Sequence, residues 1–213
     1  EIENESESGM LASGLRLTQP GGFPDSHVLL ASTSPDFWND RNAFLSIAGH
    51  LVDLYEQGGT LILDASGGEI AEALGRVRFL KGKMVRTSRG FLGKFFLVGG
   101  NGRIRWLPTN RAMMDAYTGL TPETAILPDD PDWEPIVSVV DGYGRFAGHA
   151  LAEKRWGAGR VVLLTLPVFD RLHNDPAARV LCKSLLDYYE HHPRTGNPGQ
   201  MSRDLLIALY DGK

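Results

Sequence analysis

Three polar clusters in the 213-residue chain follow strand-like apolar runs: Ser32-Thr33-Ser34, Asp64-Ala65-Ser66 and Pro167-Val168-Phe169-Asp170. Ser66 has the chemistry of a nucleophile. An aliphatic hydroxyl attacks an acyl carbon only when a positioned base takes its proton and donors meet the developing oxyanion. His27, His50, His149 and His173 are candidate bases, but spacing places none of them beside Ser66. A hydrolase elbow reads G-x-S-x-G, whereas this turn reads Asp64-Ala65-Ser66-Gly67-Gly68 and lacks the first glycine. The other role open to Ser66 is capping a following helix, its oxygen accepting from free N–H groups. Trp38 follows the first cluster, where an indole stacks on a sugar or partner, or closes over the core. Trp38, Asp64, Ser66 and Asp170 are the candidate ligand or interface residues.

Other chemistries lack a complete set of residues. Cys182 is the only cysteine, which excludes an internal disulfide and a multi-cysteine metal site. It stands between Leu181 and Lys183 in a helical pattern, where a thiol packs as a small apolar group. His191-His192 falls at a helix end without a third ligand at a recognisable spacing. Asp129-Asp130 sits among prolines and reads as solvated loop charge, since glycosidase carboxyls must face each other across a sugar. Gly99-Gly100-Asn101-Gly102 reads as a hairpin turn rather than a phosphate loop, because strand-like residues follow it. No metal and no cofactor are expected.

Charge is unevenly distributed. Between Glu72 and Asp115 there is no acidic residue, while ten basic ones occur, among them Lys81, Lys83, Arg86, Arg89, Lys94, Arg103 and Arg105. Phe91, Phe95, Phe96 and Trp106 interleave with them. One reading is a polyanion face, fit for an acidic polysaccharide. The other is a solvated basic face balanced by the acidic stretches 1–7 and 129–134. An overall pI near 5.9 argues against nucleic acid as the partner.

These residues need elements to hold them. Residues 27–32 and 60–65 read as short, fully buried strands. Between them Phe44, Ile47, Ala48, Leu51, Val52, Leu54 and Tyr55 repeat at helical spacing, and Gly58-Gly59 ends that helix. A further helical pattern covers 69–74. This βαβα order predicts a parallel sheet covered by helices. Residues 94–98 and 103–107 predict a hairpin, and 113–117 a short helix. Residues 121–133, with three prolines, predict a surface loop. Residues 136–140 predict a strand. Residues 148–156 and 160–167 predict a second hairpin across Gly157-Ala158-Gly159, and Asn174-Asp175-Pro176 starts the strongest helix.

A hydrophobic content of 42% and a net charge of −4 exclude a wholly disordered chain. No apolar run approaches the roughly 18–20 residues of a membrane span, so a soluble chain is expected. Glu1-Ile2-Glu3-Asn4-Glu5 shows neither the basic nor the apolar region of a secretory signal. The compartment is undetermined, and both ends fit a piece of a longer protein.

Gln57-Gly58-Gly59-Thr60-Leu61-Ile62-Leu63 resembles the approach to the second strand in class I glutamine amidotransferase-like domains. Residues 150–164, ending in Gly157-Ala158-Gly159-Arg160-Val161, resemble a hairpin of that superfamily's non-catalytic branch, and helix 175–189 resembles the one that follows. True amidotransferases need a cysteine on a strand-to-helix turn, and the turn after Ala65 has none. The resemblance implies an α/β, flavodoxin-like three-layer sandwich with a mainly parallel sheet. A basic β-hairpin insertion at 76–112 and a C-terminal hairpin plus helix complete it. The expected layout is an extension at 1–26, the α/β domain at 27–192 and a linker with a last helix at 193–213. By the same resemblance the chain is a non-catalytic accessory or trimerisation domain of a glycoside hydrolase such as a β-galactosidase, docking other domains or subunits. Two other functions stay open: an interaction module of a transport or envelope complex, and a hydrolase using Ser66.

Overall fold

A computed structural model describes residues 15–18, 28–33, 48–66, 82–86, 95–99, 104, 112–113, 118–129, 131–141 and 146–192. The strands are β1 (Leu15–Thr18), β2 (Val28–Thr33), β3 (Thr60–Asp64), β4 (Gly82–Arg86), β5 (Phe95–Gly99), β6 (Ala112–Met113), β7 (Thr124–Pro128), β8 (Trp133–Asp141), β9 (Phe146–Trp156) and β10 (Gly159–Leu164). Helices α1 (Ala48–Gln57) and α2 (Pro176–His191) accompany them, with a 3-10 turn at Thr118–Leu120.

The strands form one mixed sheet in the order β1-β2-β3-β10-β9-β8-β5-β6, with β7 added to β9 and β4 to β7. Only β2–β3 and β3–β10 are parallel. The pairings β1–β2, β10–β9, β9–β8, β8–β5, β5–β6, β7–β9 and β4–β7 are antiparallel. The expected mainly parallel, flavodoxin-like sandwich is therefore wrong. A parallel neighbour needs a long crossover, which α1 supplies between β2 and β3. Between β8 and β9, and between β9 and β10, the chain reverses within a few residues, so those neighbours run antiparallel.

The basic segment is also not an insertion. Its strands β4 and β5 belong to the sheet, and Leu97 of β5 lies opposite Val139 of β8 on one edge and Met113 of β6 on the other. Of the expected hairpin partner 103–107, all but residue 104 lies outside the described residues. The expected loop 121–133 contains β7, which follows Pro122, ends on Pro128 and carries the buried Ala125 and Ile126. Of the expected helix 113–117, Met113 is in β6 and the rest lies outside the described residues, as does the helix at 69–74.

The hairpin β9–β10 turns through Gly157-Ala158, as its turn residues predict. Gly157 adopts φ +58°, and a Cβ there would stand 2.5 Å from the Tyr55 ring. Only glycine combines that backbone with that approach. Asp175 caps α2, its Oδ1 accepting from Ala177 N at 2.8 Å, with Pro176 in the first turn.

Two apolar faces meet these strands. Val162 and Leu164 of β10 pack with Ile62 of β3 and with Ala178, Leu181, Leu185 and Tyr189 of α2. Leu61, Leu63, Val161 and Leu163 alternate with them and are buried too, so they face the other way, where α1 packs along β10. Near-continuous apolar runs are what strands covered on both faces require.

One polar network crosses the α2 face. Arg160 and Glu153 are 3% and 2% exposed, with Arg160 Nη1 3.7 Å from Glu153 Oε2. Tyr189 Oη donates to the same carboxylate oxygen at 3.3 Å, and Arg160 Nη2 donates to the His192 carbonyl. The guanidinium carbon also lies 5.1 Å from the Tyr189 ring centroid. The network ties the C-terminal end of α2 to the middle of the sheet.

Candidate functional site

The parallel strands end together. Ser32, Asp64 and Leu164 are register neighbours across β2, β3 and β10, and Ala65 N donates to Leu164 O at 2.7 Å just beyond. Strand β9 runs further. Its residues 151–156 pair with β10, while His149 pairs with Ile126 of β7 and Ser138 of β8. Because β8 occupies one edge of β9, β7 shares the other with β10. The β7–β4 pair therefore stands past the carboxyl end of β10. In open sheets with parallel strands, ligands bind outside those ends.

Three of the four candidate ligand residues meet there. Asp64 Oδ1 accepts from Ser66 N at 3.0 Å, an Asx turn that fixes how the chain leaves β3. Ser66 Oγ donates a long hydrogen bond, 3.4 Å, to Asp170 Oδ2. Asp170 lies in the turn after β10 and is exposed, while Asp64 and Ser66 are half-buried. Residues 104 positions apart in sequence thus join because β3 and β10 are parallel and in register. Trp38, the fourth, lies outside the described residues.

Chemically the cluster is a serine whose hydroxyl meets one carboxylate, Asp170, and whose backbone N–H meets another, Asp64. Among the described residues, Asp170 is the hydrogen-bond partner of the Ser66 hydroxyl, and no histidine reaches it. A carboxylate is a far weaker base than an aliphatic alkoxide, so the long contact with Asp170 leaves the Ser66 hydroxyl protonated. No group of three or more histidine, cysteine or acidic side chains fit for a metal occurs among the described residues.

Of the basic candidates, Lys83 and Arg86 stand on β4, opposite Leu127 and Thr124 of β7. Lys81, Arg89, Lys94, Arg103 and Arg105 lie outside the described residues. Cys182 is half-buried and flanks the α2 core, and burial pushes its thiol up to about 11. The thiolate needed for nucleophilic work is scarce there at neutral pH.

A serine–histidine contact that spacing did not reveal joins β8 to β9. Ser138 Oγ and His149 Nδ1 lie 3.1 Å apart, and burial lowers the His149 pKa, keeping the ring neutral. Ser138 and His149 are partners in the register that already pairs Trp133 with Lys154, the shifts on either side of Val137 cancelling. Residue spacing does not encode the register between two strands, which is why the pair is invisible in the sequence. Both residues stand mid-strand with neighbours on either side, and their bond is a cross-strand tie.

No helix among the described residues is long and apolar enough to cross a membrane. No family model, no curated protein and no solved structure matches this chain.

Proposed function

We propose that this chain is a non-catalytic accessory or oligomerisation domain of a carbohydrate-active enzyme, of the glycoside hydrolase kind. One observation carries the reading. At the strand ends where an α/β enzyme holds its nucleophile, Ser66 gives its hydroxyl hydrogen to the exposed Asp170 carboxylate, with neither thiol nor imidazole in contact among the described residues. Hydroxyl and carboxylates so arranged suit hydrogen bonding to a neighbouring subunit or domain, where polar groups at the rim fix register.

The link to glycoside hydrolases rests on the residues of the resemblance. They form the turn into β3, the β9–β10 hairpin and α2. The test is hydrolysis of a panel of chromogenic esters and glycosides by the purified chain and by Ser66→Ala. Equal, background rates for both proteins are expected. Turnover that disappears in Ser66→Ala, with the circular dichroism spectrum unchanged, would contradict the reading.

A further inference from the structure

Two buried polar side chains stand side by side on the α2 face of the sheet. Thr60 of β3 and Arg160 of β10 are 0% and 3% exposed. Among the described residues no group bonds to Thr60 Oγ1 or to Arg160 Nε. The two residues are direct register partners across the parallel β3–β10 ladder. Thr60 shares its face with Ile62, and Arg160 shares its face with Val162 and Leu164, which belong to the core under α2. We propose that one buried water molecule is bound between Thr60 Oγ1 and Arg160 Nε, completing the network that ties α2 to the sheet.

Burial is what makes a partner necessary. Taking a hydroxyl and a guanidinium N–H out of water without replacement bonds is costly, and buried polar groups are satisfied by protein or by ordered water. The other contacts of Arg160 stand against a direct bond between the two. Nη1 lies 3.7 Å from Glu153 Oε2, Nη2 donates to the His192 carbonyl, and the guanidinium carbon sits 5.1 Å from the Tyr189 ring centroid. These contacts hold the planar fork, so Nε does not swing onto Thr60. Two hydrogen bonds of about 2.8 Å that meet at a tetrahedral oxygen span about 4.5 Å. Neighbouring strands are about 4.8 Å apart, so one water matches the step from β3 to β10.

The charges select water over an ion. Glu153 already balances Arg160, so a buried chloride would add an uncompensated negative charge, and a buried cation would face the guanidinium. Water answers both groups. Its oxygen accepts from Nε–H, and the rotatable threonine hydroxyl donates to it or accepts from it. Two polar partners meet the minimum that a buried water needs. The site lies at the opposite end of β3 from Ser66, and it stands or falls independently of the accessory role proposed above.

The test compares the full chain with Thr60→Val, which keeps the side-chain shape without the hydroxyl, and Thr60→Ser, which keeps the hydroxyl. Oxygen-17 magnetic relaxation dispersion counts the water molecules held inside a protein for longer than it tumbles. Thr60→Val should lose one such water and Thr60→Ser none. Urea unfolding gives a second readout whose sign separates two accounts. With a water between the pair, Thr60→Val strands Arg160 Nε, and the midpoint should fall by about 0.5 M. With Thr60 Oγ1 merely unsatisfied, valine relieves it and the midpoint rises. A crystal structure should show one water within hydrogen-bond distance of both atoms. An unchanged water count in Thr60→Val, a raised midpoint, or a direct Thr60–Arg160 bond in the crystal would overturn the proposal.

Discussion

Replacing Glu153 by glutamine removes one charge from a pair that water does not reach. Arg160 and Glu153 are 3% and 2% exposed and 3.7 Å apart. At an effective dielectric of about 20, unit charges at that separation attract by about 4.5 kcal/mol. The loss in Glu153→Gln is smaller. Tyr189 can still donate to the amide oxygen, and Arg160 keeps the His192 carbonyl and the Tyr189 ring. A cost of about 3 kcal/mol follows, at the lower end for a buried pair that loses one member. With a urea slope of about 2 kcal/mol per molar, the unfolding midpoint should fall by about 1.5 M. Arg160→Met in the Glu153→Gln background removes the stranded cation, so the double variant should lose much less than the sum of the single ones. Equilibrium urea unfolding followed by tryptophan fluorescence measures all three. A midpoint for Glu153→Gln within about 0.3 M of the parent, or strictly additive losses, would refute a desolvated pair.

The same network sets an alkaline limit. Burial first, then the Glu153 charge, holds the Tyr189 phenol well above its ordinary range. The folded chain keeps a proton that the unfolded chain releases above about pH 10, so stability is full below that pH and falls as pH rises past it. Urea midpoints between pH 8 and 11 should show the decline, and Tyr189→Phe should flatten it; an equal slope in both proteins would assign the decline elsewhere. Asp175→Ala removes the cap from Ala177 N and should cost about 1 kcal/mol, most of it recovered by Asp175→Asn. Thermal unfolding of the two variants measures this, and an unchanged midpoint in Asp175→Ala would mean that the cap contributes nothing.

The sequence shows its buried strands clearly and their partners poorly. Residues 61–63 and 161–164 are unbroken apolar runs, and the parallel alignment of their strands is what brings Ser66 to Asp170. Both residues were legible as strand-end polar groups, since the chain must turn where each apolar run stops. The error came from extending the βαβ rule past β3: the short returns at 142–145 and 157–158 already demanded antiparallel neighbours. Strand β7 was hidden by Pro122 and Pro128, which bracket a buried Ala-Ile pair without interrupting it. Glu153 reads as an outward charge in an alternating strand. Its burial depends on Arg160 and Tyr189, seven and 36 residues away, and local pattern carries nothing of that. Ser138 and His149 meet through the register of β8 on β9, which spacing cannot encode.

Labelling with a fluorophosphonate, read as mass added to the peptide containing Ser66, tests the non-catalytic reading most directly. An activated serine is phosphonylated by such a reagent, and a hydroxyl held only by a carboxylate is inert to it. The account predicts unmodified Ser66 after prolonged exposure of the folded chain. Stoichiometric modification of Ser66, absent after urea unfolding, would contradict it.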